Sequence, residues 1–156
     1  MRRFVPSFVH PAGRLLAPAA LAACMALSGC GTPKTKISSI EVIADAAANQ
    51  HSATALDIVF VYDTNSAALL PKTGPEWFEK KDALVAGLAK AIDVVSLEVP
   101  PAMTLAAALP DGYAKAIGVY SYANYIAPKG QPMGNLTPFK KITIRLMPET
   151  VVYSGD

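Results

Sequence analysis

The sequence predicts a mainly β domain: an antiparallel β-sandwich of about six to seven strands with one added amphipathic helix. Three observations carry this reading. Short runs of β-branched and alternating residues, of which "ALDIVFVYD" is the clearest, recur between turn signals. One stretch, "TGPEWFEKKDALVAGLAKAID", changes the apolar period from that of a strand to that of a helix. The strands also follow one another without the strand–helix–strand alternation that builds a parallel sheet.

Taken in order, "ISSIEVIADA" reads as a first strand and "AANQHSAT" as the loop after it. In "ALDIVFVYD", Leu56, Ile58, Phe60 and Tyr62 alternate with Asp57, Val59 and Val61, so the strand is apolar on both faces at its centre. It is therefore expected inside a sheet that packs on something on each side. "NSAALLPKTG" reads as a connection. The helix follows, with Thr73 or Gly74 as its start, Pro75 in its first turn, and Glu76 and Glu79 near the positive end of its dipole. Trp77, Leu84, Leu88 and Ala91 share a face with Phe78, Val85 and Ile92 beside it, an apolar stripe expected in the core. Gly87 weakens the helix by about 1 kcal/mol relative to Ala and marks a bend or an end. "VVSLEV" stops at Pro100-Pro101, and "AMTLAAAL" runs into the turn "PDG". "YAKAIGVYSYANYI" alternates small and aromatic residues, placing Tyr120, Tyr122 and Tyr125 at a rim, and "APKGQPMGNLTP" is a long connection. It leads to "FKKITIRLMPETVVY", whose buried side is Phe139, Ile142, Ile144 and Leu146.

Ahead of this domain stand Arg2, Arg3 and Arg14, then "LLAPAALAACMAL", an apolar run with no charge. That is the pattern of a secretory signal peptide, and the run is shorter than the roughly 20 residues that a membrane-spanning helix needs. "LSGC" closes it and resembles the lipobox of bacterial lipoproteins. The resemblance implies cleavage between Gly29 and Cys30, a lipid on the Cys30 thiol and acylation of the new amino terminus. Two or more acyl chains hold a protein durably on a bilayer without spanning it. Residues 1–29 are then the signal peptide, 30–36 the lipidated terminus and a flexible tether, and 37–156 a periplasmic domain. Gly31 after the cysteine, rather than an aspartate, favours the outer membrane by resemblance to enterobacterial sorting rules.

Losing the leader changes the charge argument. The net charge of +2 includes its three arginines and none of the acidic residues, leaving about 2 − 3 = −1. A nucleic-acid partner then lacks an electrostatic motive. Cys24 leaves with the leader and Cys30 is lipidated, so no disulfide is available to the domain. Neither a metal nor any other cofactor is expected, beyond the covalent lipid. His51 is the one remaining imidazole, too few for a histidine zinc site, and its neighbours Asp57 and the nearby serines match no triad motif. Glu76, Glu79 and Asp82 beside Lys80 and Lys81 suit a solvated helix face. No phosphate-cradling glycine loop is present. The chain reads as a non-enzyme.

The lipobox, the small polar loop after the first strand, "IVFVYD", "EWFEKKDAL", the late "IGVYSYANY" and the closing "ITIRL" together resemble the outer-membrane lipoprotein of type VI secretion systems, the TssJ family. Phe60-Val61-Tyr62 stands where the family often has Arg-Ile-Tyr, and "AAANQHSAT" replaces a proline-bearing loop. The resemblance implies a structural protein, lipid-anchored to the outer membrane and facing the periplasm, that binds the periplasmic domain of the inner-membrane component TssM. It implies a contact through the loop after the first strand, here Ala47, Ala48, Asn49, Gln50, His51, Ser52 and Ala53. By composition alone that segment is an ordinary exposed loop. A lipoprotein that binds a small ligand in a pocket of Tyr120, Tyr122 and Tyr125, or serves envelope maintenance, is the competing reading.

Overall fold

The structure is a computed structural model that describes residues 34–127 and 131–156. The leader, Gly29 and Cys30 lie outside the described residues. Two four-stranded sheets face each other. In chain order the elements are β1 (Ser39–Ala44), β2 (Thr54–Val61), α1 (Thr64–Leu69), α2 (Gly74–Gly87), β3 (Ile92–Val99), β4 (Thr104–Ala106), β5 (Gly118–Asn124), β6 (Gly134–Asn135), β7 (Lys141–Leu146) and β8 (Val151–Gly155). One sheet has the order β4-β1-β7-β8 and the other β3-β2-β5-β6. The described residues thus hold eight strands rather than six or seven, since "FKKITIRLMPETVVY" contains both β7 and β8 and the long connection after β5 contains the short β6.

The sandwich is antiparallel except at one place. β1 pairs with β7 in parallel, Ile40 opposite Ile142 and Val42 opposite Ile144, about a hundred residues apart in the chain. This brings Ile40, Val42 and Ala44 beside Ile142, Ile144 and Leu146 on the inner face. Leu56, Ile58 and Phe60 of β2 and Val119 and Ala123 of β5 meet them from the other sheet, and together they form the main core.

The period of two along β2 has a second consequence. Val59 and Val61 point to the opposite face, where they form a separate core with Leu70, Trp77, Ile92 and Tyr122. Helix α2 lies over that face, so β2 is buried on both sides, as its uniformly apolar centre requires. The start of α2 follows its sequence signals: the Thr73 hydroxyl accepts from the Glu76 N–H and Pro75 occupies the first turn. Gly74 is needed there because a Cβ would meet the carbonyl oxygen of Ala123 at 2.4 Å. The helix ends at Gly87, so Leu88, Ala91 and Ile92 lie beyond it, and Val85 is exposed rather than core.

Two segments differ from their sequence reading. "NSAALL" contains α1, capped by Asp63, whose carboxylate accepts from the Ser66 N–H and hydroxyl at 2.9 and 2.8 Å. Six residues are too few for a periodic pattern to stand out. Thr35, assigned to the tether, is buried, and its N–H donates to the carbonyl of Ala116 at 2.7 Å. The docked chain therefore already includes Thr35.

Candidate interaction surface

The strands sort the connections into two ends. β1, β3, β5 and β7 lead to the segments 45–53, 100–103, 125–127 with 131–133, and 147–150, which lie at one end. At the other end the amino-terminal segment is fixed by Thr35 to Ala116 and by the Ser38 N–H to the carbonyl of Lys140, 2.7 Å each. The loop after the first strand thus stands at the end of β1 away from the amino-terminal segment.

That loop is not slack. Ala48–His51 makes a single tight turn, and Asn49, Gln50 and His51 have φ of 45, 55 and 62°. Three consecutive non-glycine residues in the left-handed region cost about 1–2 kcal/mol each, and Asn tolerates it best. The opposing force is visible. Asn49 is buried, its side-chain amide donates to the carbonyls of Ala53 and Asn124 at 3.1 and 3.3 Å, and its oxygen accepts from the Ile126 N–H at 2.8 Å. The N–H groups of Asn49 and Gln50 donate to the carbonyls of Met147 and Pro148, both at 3.2 Å.

Neighbouring loops are tied in the same way. The Tyr125 hydroxyl lies 2.9 Å from the carbonyl of Met147 and 3.0 Å from that of Thr150, and burial pushes its pKa up to about 12. Gln131, buried, donates its side-chain N–H to the carbonyl of Glu149 at 2.8 Å. Asp45 at the end of β1 pairs with Arg145 at 2.9 Å, and its carbonyl accepts from the Ala102 N–H.

This held frame presents exposed Gln50, His51, Ala53 and Asn124 beside two apolar side chains, Ile126 at 58% and Met103 at 43% exposure. A depression of about 400 Å³ opens among Asn49, Ala53, Ala55, Glu98, Asn124, Tyr125 and Ile126. Mixed polar and apolar exposure over a rigid base is what a protein contact needs, because little ordering entropy remains to be lost on binding.

No protein-family model and no curated protein sequence matches the chain. Solved structures do. The type VI secretion lipoprotein TssJ1 of Pseudomonas aeruginosa superposes with a TM-score of 0.55 at 13% identity, covering 80% of this chain and 98% of that one. Lip of Serratia marcescens, a membrane-bound component of the type VI secretion system, gives 0.52 at 12% identity, with coverages of 74% and 95%. The fold is that of the TssJ lipoproteins. A chain of the structure described as the TssM C-terminal domain (869–1107) from EAEC also superposes, with a TM-score of 0.52, 14% identity and coverages of 74% and 98%.

Within this TssJ-type sandwich the seven loop residues separate into two groups. Ala48 and Asn49 are inside, whereas Gln50, His51 and Ala53 are exposed and Ala47 and Ser52 are half-buried. The expectation that the whole loop is surface is thereby corrected: Asn49 is small and polar, but it satisfies backbone groups of the loop after β5. The His51 ring nitrogen Nδ1 lies 3.1 Å from the carbonyl oxygen of Ala46, and Asp57 has other partners, so the two do not form a triad.

The tyrosine-lined pocket is corrected too. Tyr122 is fully buried, stacked on Trp77 with ring centroids 4.7 Å apart, and its hydroxyl donates to the carbonyl of Pro71. Tyr125 is buried as well, its hydroxyl spent on the β7–β8 turn. Lys81, read as part of a solvated face, instead reaches the buried Asp57 at 2.8 Å and the Ser96 hydroxyl at 3.0 Å. The Trp77 indole N–H donates to the same carboxylate at 2.7 Å, which fastens α2 to β2. Ile126 and Met103 carried no sequence signal, since a lone apolar residue in a loop is ordinary.

Proposed function

We propose that this protein is the outer-membrane lipoprotein of a type VI secretion membrane complex, a structural component and not an enzyme. Acylated Cys30 holds it to the inner leaflet, facing the periplasm, and the loop end of the sandwich docks the periplasmic domain of a TssM-type inner-membrane protein. The observation that carries this reading is the geometry of the sandwich. The chain from Thr35 docks at one end, while β1 delivers the loop 47–53 to the other, where it would face away from a membrane that holds Cys30. The shared fold with TssJ1, of which nearly the whole chain superposes, supports it.

The contact surface is narrower than the seven loop residues and broader than one loop. Gln50, His51 and Ala53 supply polar and small contacts, Ile126 and Met103 supply apolar area, and Ala48 and Asn49 hold the turn from beneath. With Tyr122 and Tyr125 packed inside and Tyr120 alone partly exposed, the three rings do not line a common pocket for a small ligand. The test is a Cys30→Ser variant expressed beside the wild type. The wild type is expected in outer-membrane fractions and in a complex recovered through the TssM-type protein, and the variant free of membranes in high salt. A variant still bound to outer membranes would assign the anchor to another segment.

A further inference from the structure

We propose that the amino-terminal end of the sandwich is an electrostatic contact surface for anionic phospholipid headgroups, which fixes the orientation of the domain on its membrane. This rests on the reading of Cys30 as the lipid-bearing residue. Five lysines lie at this end, Lys34, Lys36, Lys115, Lys140 and Lys141, and all are exposed. The backbone gathers them: Thr35 bonds to Ala116, Ser38 bonds to Lys140, and Lys141 stands opposite Ser39 in the β1–β7 register. Among the described residues, none of the five pairs with a carboxylate within 4.0 Å.

The opposing charges at this end are fewer on the side where the chain enters. Glu41, Asp111 and Asp156 lie there. Asp63 and Asp93, next to the end of β2 and the start of β3, have their carboxylates bonded to Ser66 and to the Tyr62 hydroxyl. Tyr113 and Phe139, half-buried against the core, flank the lysines, and aromatic rings are favoured at the depth of headgroups. The described rim of the loop end is different: it carries Glu98 and Glu149, and its Arg145 is paired with Asp45.

The length of the tether makes the contact hard to avoid. With Thr35 docked, four residues separate it from Cys30, and the five residue-to-residue steps span at most about 18 Å when fully extended. Attraction between basic residues and an anionic surface is felt within a Debye length, about 8 Å at physiological salt. A tether of this length brings the domain within that range, and each lysine near the surface favours the approach. The lysines then face the bilayer, and the loop end points into the periplasm.

The test uses a chain that starts at Cys30, which retains the compact unit Gly31–Asp156 and has Cys30 as its only thiol. Coupling that thiol to a maleimide-bearing lipid anchors it to vesicles of phosphatidylcholine, with or without phosphatidylglycerol. Amide exchange of residues 34–38, 113–116 and 139–141 is expected to slow about fivefold on the anionic vesicles. High salt should reverse the slowing, and replacing the five lysines by glutamine should abolish it without lowering the melting temperature. Equal exchange on the two vesicles would overturn the proposal, as would slowing that survives high salt. The mass of the amino-terminal peptide from cells is a separate measurement: an unmodified Cys30 there would remove the anchor reading and leave the vesicle result standing by itself.

Discussion

The side-chain oxygen of Asn49 accepts a hydrogen bond from the backbone N–H of Ile126 at 2.8 Å, joining loops 77 residues apart. A buried polar residue beneath the surface thus sets the position of an exposed apolar one upon it. Asn49→Ala removes three side-chain hydrogen bonds, strands the Ile126 N–H and puts alanine in the left-handed region. It should cost about 2–3 kcal/mol, read as a fall in the denaturation midpoint at constant slope.

Gln50 carries the strain without such compensation from its side chain. It is exposed with φ of 55°, so Gln50→Gly should relieve backbone strain and raise stability by about 0.5–1 kcal/mol. A lowered melting temperature would mean that this turn is held by contacts of the glutamine side chain itself.

Beneath α2, the Asp57 carboxylate is buried between the Trp77 indole N–H and the half-buried Lys81 ammonium. Removing the cation strands a buried charge, whereas removing the charge lets Lys81 turn to water and leaves an acceptor for Trp77. Lys81→Met should therefore cost about 3 kcal/mol and Asp57→Asn about 1 kcal/mol. Chemical denaturation of the two variants reads the order, and the reverse order would contradict this assignment.

Alkaline pH should act through the buried tyrosines. Burial raises the hydroxyl pKa of Tyr62, Tyr122, Tyr125 and Tyr153, with Tyr125 pushed up to about 12. An unfolded tyrosine loses its proton near pH 10. Above that pH the unfolded state binds fewer protons than the fold, so stability is complete below about pH 10 and declines as pH rises toward 12. Melting temperatures across this window, with tyrosinate absorbance followed in parallel, should fall together with delayed ionisation of the buried rings.

The elements legible in the sequence are those whose signals are local. Thr73, Gly74, Pro75 and Glu76 mark the start of α2 because capping acts within one turn, and β2 shows its burial because both faces are apolar. The unread features join distant residues. The parallel pairing of β1 with β7 has no local signature, and Asp57 meets Lys81 only after α2 folds onto the sheet. Asn49 reads as a loop residue by composition, since nothing near it reveals that the loop after β5 needs a partner for its backbone. Loop 47–53 came from family resemblance. Its division into supporting and exposed residues depends on bonds from Asn49 to the loops after β5 and β7, which no local pattern encodes.

The most direct measurement is a binding titration between the anchor-free domain and the periplasmic C-terminal domain of the TssM-type protein from the same cell. We expect saturable binding. We expect a double substitution of the exposed pair His51 and Ile126 by Ala and Ser to weaken it by about 2 kcal/mol or more, because interface energy concentrates in few residues. The melting temperature should be nearly unchanged. Absence of binding by the wild-type domain would contradict the assigned partner, and full affinity in the substituted domain would move the docking surface away from the loop end.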